Sequence, residues 1–316
     1  MCTKPARMFA TLVLFSGLSW ISGSPALAQQ LPGSQANGQL NVCDFGAKGD
    51  GQTNDRAAFV AAIQALPERG GSLFVPASDQ DYIWRGSGIV IEKPVHIVGA
   101  VSAASRIRFE GQGTPLEFRD VASGGLERLS FFAGPNSTNG PCLVLDKVRD
   151  LVVSKIHIQG FANGVVCRSN GTMHVSIENS RLIGIVSDSA AGWQKNSIGI
   201  YVEPPGPTSV RITNVYCQHF ETLIRSGGDG TMLSGNVLEA AWYGVQVDTG
   251  TLTSFGDWFD PGREDSPKNF MRAPFVIKPP VSSVGVFHPR GILPKHIHMD
   301  GVPRKRVVGM LEASGR

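Results

Sequence analysis

The side chains best suited to chemistry stand in and beside four short segments. These are Gly164-Val165-Val166-Cys167, Gly199-Ile200-Tyr201-Val202, Thr222-Leu223-Ile224-Arg225 and Gly244-Val245-Gln246-Val247. Alternation with a period of two turns Val165, Cys167, Ile200, Val202, Val245 and Val247 inward. It turns Val166, Arg168, Tyr201, Glu203, Gln246 and Asp248 outward. His219, Glu221, Arg225, Trp242 and Tyr243 fall beside the same outward face. An aromatic ring can stack on a sugar, and a guanidinium can grip a carboxylate through two N–H groups. Taken singly, Arg168 and Arg225 read as solvated cations, and Trp242 and Trp258 as core aromatics. Their clustering on one face points instead to a carbohydrate groove. Glu221 and Tyr243 are the expected acid–base residues, with Glu203, Asp248, Trp242, Arg168, Arg225 and Tyr201 as substrate contacts.

The elements that position these residues repeat along the chain. Each of the four segments follows a longer alternating stretch: 151–158, 175–182, 210–217 and 232–238, with a fifth at 252–259. Polar markers at Lys155, Asn179, Asn214 and Asn236 are 24, 35 and 22 residues apart. Units of this length with period-2 alternation predict coils of a β-solenoid, each strand pairing with its neighbours above and below. The asparagines read as stacked turn residues. The long step holds an insertion at 187–197, a loop on one face of one coil. A propeller would need longer four-stranded units, and helical repeats a period of 3.6.

An open solenoid exposes core and strand edges at its end, so it needs a cap. The stretch 41–66, NVCDFGAKGDGQTNDRAAFVAAIQAL, has the makings of one. It predicts a strand at 41–45, a glycine-punctuated turn, Thr53 as N-cap, and a helix over 54–66 that presents Phe59, Ala62, Ile63 and Leu66 on one stripe. Pro67 stops the helix, and Gly70-Gly71 leads into the strand Leu73-Phe74-Val75-Pro76. Asp44, Asp50 and Asp55 lack the spacing of a calcium loop and take turn and cap roles.

From Val42 through Tyr82 this stretch resembles the opening of the pectate-lyase-like superfamily, in its rhamnogalacturonase/epimerase-like form. The resemblance implies an all-β, right-handed parallel β-helix with an N-terminal capping helix. It says little about chemistry, since that opening is shared by lyases, glycosidases, epimerase-like proteins and tailspike domains. The N-T-D, D-D, G-H-G and R-I-K motifs of the polygalacturonase branch do not occur in this sequence. Their acid positions fall on Asn163, Ser197 and Ile198, Glu221 and Tyr243, so that branch's two-carboxylate mechanism is not expected. The W-x-D-H pattern of the calcium-dependent pectate lyases is missing as well. Lyase chemistry needs only a base and a cation beside a uronate carboxylate. The expectation is a lyase or glycoside hydrolase on a uronate-containing polysaccharide. The alternative is a non-catalytic carbohydrate-binding or assembly protein.

Targeting and composition agree with an exported protein. Residues 1–28 read as a secretory signal: Lys4 and Arg7, an apolar run, then Ala26-Leu27-Ala28. Removal of Lys4 and Arg7 takes the formal charge from +3 to +1, and 17% charged residues leave no nucleic-acid footprint. Secretion or a periplasmic location follows, with no membrane span once the signal is gone and an oligomer left open. Residues 29–40 read as a mobile lead, 41–260 as the β-helix with its cap at 41–82, and 261–316 as a C-terminal cap or tail. Cys43, Cys142, Cys167 and Cys217 remain in the mature chain and read as small buried apolar residues. His288 and His296-Ile297-His298 lack the carboxylate spacing of a metal site. Neither a metal nor a cofactor is expected.

Overall fold

The computed structural model of the protein describes residues 38–137, 139–185, 193–260, 271–292 and 294–309. The expected signal at 1–28, most of the expected lead at 29–40 and most of the expected insertion at 187–197 lie outside the described residues. Among those described, the strands form three parallel sheets of eleven, eight and nine members. The chain visits the sheets in rotation. A typical coil runs Leu151–Ser154 in the first sheet, His157–Gln159 in the second and Asn163–Arg168 in the third, and the next begins at Ser176–Glu178. The chain is a parallel β-helix.

Each long alternating stretch thus divides into two strands, because one residue at its middle turns left-handed. Arg128, Lys155, Asn179 and Asn214 take φ between 50° and 57° there, and Gly235 and Gly256 continue the column. Asn214 Nδ2 donates to Asn179 Oδ1 at 2.8 Å, so these two asparagines do stack at the corner. Asn236 does not join them: it follows Gly235 and lies wholly buried. Its Nδ2 donates to Asp257 Oδ1 at 2.8 Å, and its Oδ1 accepts Val215 N–H at 2.9 Å. Its place is an internal ladder, because glycine serves the left-handed position in that coil at no steric cost.

The cap covers the open end as its apolar stripe requires. The helix spans Arg56–Ala65 and buries Phe59, Ala62 and Ile63, with Leu66 beneath its C-terminus. Phe59 packs edge-on against Tyr82 and Trp84, with centroids 5.7 Å and 4.9 Å away. Two local expectations fail. The strand is Gln39–Asn41, and Val42–Phe45 forms a 3-10 turn, whose Cys43 N–H is taken by Asn41 Oδ1 at 2.9 Å. Thr53 does not cap the helix, because Asp50 captures both its N–H (2.7 Å) and its hydroxyl (2.8 Å). Those bonds hold the Asp50 carboxyl down at about 2. Asp55 is buried and accepts N–H bonds from Lys48, Gly49 and Ile83, tying the turn to the first coil.

The ladders run past the last repeat visible in the sequence. Strands Ala273–Ile277 and Ile297–Met299 extend the third sheet, and Val281–Phe287 and Val307–Gly309 extend the first. Within the coils, Cys142, Cys167 and Cys217 are free and buried, and act as small apolar core residues.

Candidate functional site

The third sheet carries the outward polar face. Its inward residues Val165, Cys167, Ile200, Val202, Val245 and Val247 are fully buried. Strand pairing sets Val166, Tyr201, Arg225 and Gln246 on successive outward rungs. Rungs are about 4.8 Å apart. Val166 and Gln246 are buried despite facing outward, whereas Tyr201 and Arg225 remain partly open.

Tyr201 and Arg225 form the centre of this face. The Arg225 guanidinium lies 5.2 Å from the Tyr201 ring centroid, and its Nε donates to Asp248 Oδ2 at 2.6 Å. Gln246 Nε2 donates to the other Asp248 oxygen at 2.7 Å. One coil lower, Arg168 Nε is 3.5 Å from Glu203 Oε2. Burial raises the Tyr201 pKa, and Arg225 pulls it the other way. The resting side chain is therefore a neutral phenol, a proton donor set against a guanidinium.

A second cluster sits further toward the start of the third-sheet strands. Glu221 Oε2 accepts the Asn196 N–H at 2.6 Å, and Glu221 N–H donates to the buried Ser197 Oγ at 2.9 Å. Trp242 and Tyr243 meet edge-on at 6.4 Å, and Arg272 lies 4.3 Å over the Trp242 ring. Glu221 and Arg225 share the strand Phe220–Ser226, four residues apart. That spacing is about 13 Å, so the two clusters face different parts of a bound chain.

The four positions Asn163, Ser197, Glu221 and Tyr243 do not form one column, because Ser197 and Glu221 each stand one residue out of register. Tyr243 pairs with Thr222, Thr222 with Ile198, and Ile198 with Asn163, whose Oδ1 accepts the Ile198 N–H at 2.9 Å. Glu221 stands one residue back, level with Trp242. The glycines explain the slip. Gly164, Gly199 and Gly244 share a rung position with Leu223, and a Cβ at Gly199 would lie 2.4 Å from Cys217 Sγ. Three coils thus need glycine at this approach and one accepts leucine, so aligning Thr222 with the glycines moves that coil by one.

Trp242 is half-buried and Trp258 half-exposed, so neither is a core aromatic. Arg272 escaped notice because it follows a stretch in which the repeat is lost. The outward Tyr216 of the second sheet was also missed. Its hydroxyl bonds to Glu239 and to Gln218 Oε1. Cys217 is inward, so the alternation used for the third sheet would have exposed Tyr216 and Gln218 too. The partly buried His219 has no partner for Nδ1 among the described residues, and burial lowers its pKa. No three His, Cys, Asp or Glu side chains converge as cation ligands among the described residues.

Comparison with known proteins adds to this geometry. The family described as rhamnogalacturonase A/epimerase, pectate lyase-like matches residues 39–253. The chain belongs to this family. Over 264 residues it is 26% identical to a mannuronan C5-epimerase, AlgE5, of Azotobacter vinelandii, covering 71% of this chain and 25% of that protein. It is 41% identical over 71 residues to alginate lyase 7 of the same organism, covering 20% of this chain and 8% of that one. The chain thus spans a quarter or less of the length of either relative. A GH87 α-1,3-glucanase catalytic unit from Streptomyces thermodiastaticus shares the fold, with a TM-score of 0.52 at 16% identity, covering 85% of this chain and 46% of that one.

Proposed function

We propose that the chain acts on a uronate-containing polysaccharide by proton transfer at C5, as a lyase or an epimerase, on the outward face of the third sheet. The observation that carries this reading is the Tyr201–Arg225 pair, a neutral phenol beside a guanidinium on an open face. Loss of the C5 proton needs the neighbouring carboxylate held by a cation, so that negative charge can spread onto it. Arg225, with Arg168 two coils lower, supplies that. Glu203, two residues from Tyr201 on the same outward face, takes the C5 proton once Arg168 turns to the substrate carboxylate. The electron pair left at C5 forms the C4–C5 double bond as the C4–O bond breaks, and Tyr201 protonates the departing oxygen. In an epimerase the C4–O bond stays intact and Tyr201 instead gives its proton to C5 from the face opposite the base. Similarity to a mannuronan epimerase and an alginate lyase supports the same chemistry. Glu221, Trp242 and Tyr243, about 13 Å along the strand, hold a neighbouring sugar. A polymeric substrate suits an exported protein, in keeping with the leader read at 1–28.

Binding without turnover is favoured by one observation: the carboxylates on this face are already engaged. Glu203 faces Arg168, Asp248 holds Arg225 and Gln246, and Glu221 takes the Asn196 N–H. A two-carboxylate hydrolysis would have to break such pairs first. Polysaccharides assayed for unsaturated uronate, for reducing ends and for epimer composition separate the readings. Unsaturated product or altered epimer composition supports proton transfer. Reducing ends alone mean hydrolysis, and binding with none of the three means a lectin-like role.

A further inference from the structure

The corner between the first and second sheets holds an open cleft of about 420 Å³, remote from the third-sheet face. Lys155, His157, Asn179, Arg181, Asn214 and Tyr216 line it, and no carboxylate is among its lining residues. The cleft crosses several coils. His157 pairs with Arg181 and Arg181 with Tyr216, so the three stand on successive outward rungs, about 4.8 Å apart. Lys155, Asn179 and Asn214 stack beside them at the left-handed corner.

The cations of the cleft are available. Arg181 is exposed, lies 5.1 Å over the Tyr216 ring and makes no ion pair among the described residues. Cation–π attraction holds its guanidinium over the ring, with its N–H fork left for a planar anion. Lys155 Nζ meets Glu127 Oε1 at 3.3 Å, with both side chains partly exposed, a pair that water and salt weaken. Asn179 uses its oxygen to accept from Asn214, which leaves its amide N–H groups to donate. Burial, and then Arg181, lower the His157 pKa, so an anion laid on Arg181 would push it back up.

We propose that this cleft is a second glycan site that takes an acidic polysaccharide through its carboxylate or sulfate groups. Arg181 grips the anion through two N–H groups, Lys155 adds charge one coil lower, and the asparagine amides meet sugar hydroxyls. The elongated shape, crossing coils instead of closing into a pocket, fits a chain and not a small free anion. Such a site would hold a polymer on the solenoid independently of the third-sheet face.

The test uses the full chain carrying R225Q, which disables the third-sheet centre, with a mannuronate hexamer as probe. Titration is expected to show binding that weakens at least tenfold in R225Q/K155E/R181E, with the His157 titration moving up in the bound state of R225Q alone. Free acetate and a neutral dextran are expected not to compete. Both substituted side chains are exposed, and K155Q/R181Q replaces the charge reversal if circular dichroism shows a folding defect. Unchanged hexamer binding in the triple variant overturns the proposal. So does absence of binding to R225Q, or equal competition by acetate or dextran. Failure of the third-sheet reading would show separately, as unchanged turnover in R225Q on its own.

Discussion

Arg225, on the strand Phe220–Ser226, and Asp248, the residue after the neighbouring strand Tyr243–Val247, are joined by an Nε–Oδ2 hydrogen bond of 2.6 Å. The bond fixes the guanidinium beside Tyr201 by a side chain from the next coil. Arg225→Gln should therefore remove both the cation and its positioning. The expected loss in kcat is about 10²-fold, the size seen when one charge-stabilising donor is removed. Stability should fall by about 1 kcal/mol or less, because the pair is partly exposed. Unchanged kcat with an unchanged melting temperature would take Arg225 out of the mechanism.

Tyr201→Phe keeps the ring and deletes the proton. It should lower kcat by about 10²–10⁴-fold with KM little changed. Glu221→Gln and Tyr243→Phe should do the reverse, raising KM at nearly constant kcat, since they touch a neighbouring sugar. If Glu221→Gln abolishes kcat while melting is unchanged, the reacting centre belongs at Glu221 and not at Tyr201.

The cap makes a prediction about stability. Phe59 is fully buried between Tyr82 and Trp84, so Phe59→Ala should cost about 3–5 kcal/mol. Denaturant melts of the two proteins measure this directly. A loss under about 1 kcal/mol would mean that the helix contributes little to closing the solenoid.

Asp257 gives a pH signature. It is fully buried against Ser254 and Asn236, and burial raises its carboxyl above the usual value of 3.8. A carboxyl raised on folding leaves its stabilisation complete below the unfolded pKa. That stabilisation is lost as pH rises through the folded pKa. Asp257→Asn, which keeps the size and an acceptor, should flatten the fall in stability from pH 4 upward. An equally steep fall in the variant would assign the pH dependence to other groups.

The fold was legible because each local rule spoke for the same answer. Period-2 alternation marked the inward valines, the helix stripe at Phe59 marked the cap, and small residues marked the close approaches at Gly164, Gly199 and Gly244. Register was less legible. Leu223 stands where its neighbours carry glycine, and no pattern within one strand distinguishes Thr222 from the residue after it. The division of each long stretch into two strands was hidden too, because Lys155 and Asn179 turn left-handed without a glycine to announce it. Alternation put Tyr201, Arg225 and Asp248 on one outward face, but their mutual contacts come from stacking, which a sequence read one coil at a time does not show.

The most direct measurement is loss of the C5 proton. Oligomers of mannuronate or guluronate incubated with the protein in deuterium oxide can be followed by proton NMR. Proton transfer at C5 predicts either deuterium at that carbon or an unsaturated end lacking the C5 proton, with wild type active and Tyr201→Phe and Arg225→Gln strongly reduced. Full retention of the C5 proton in every uronate tested, with binding intact, would contradict the account.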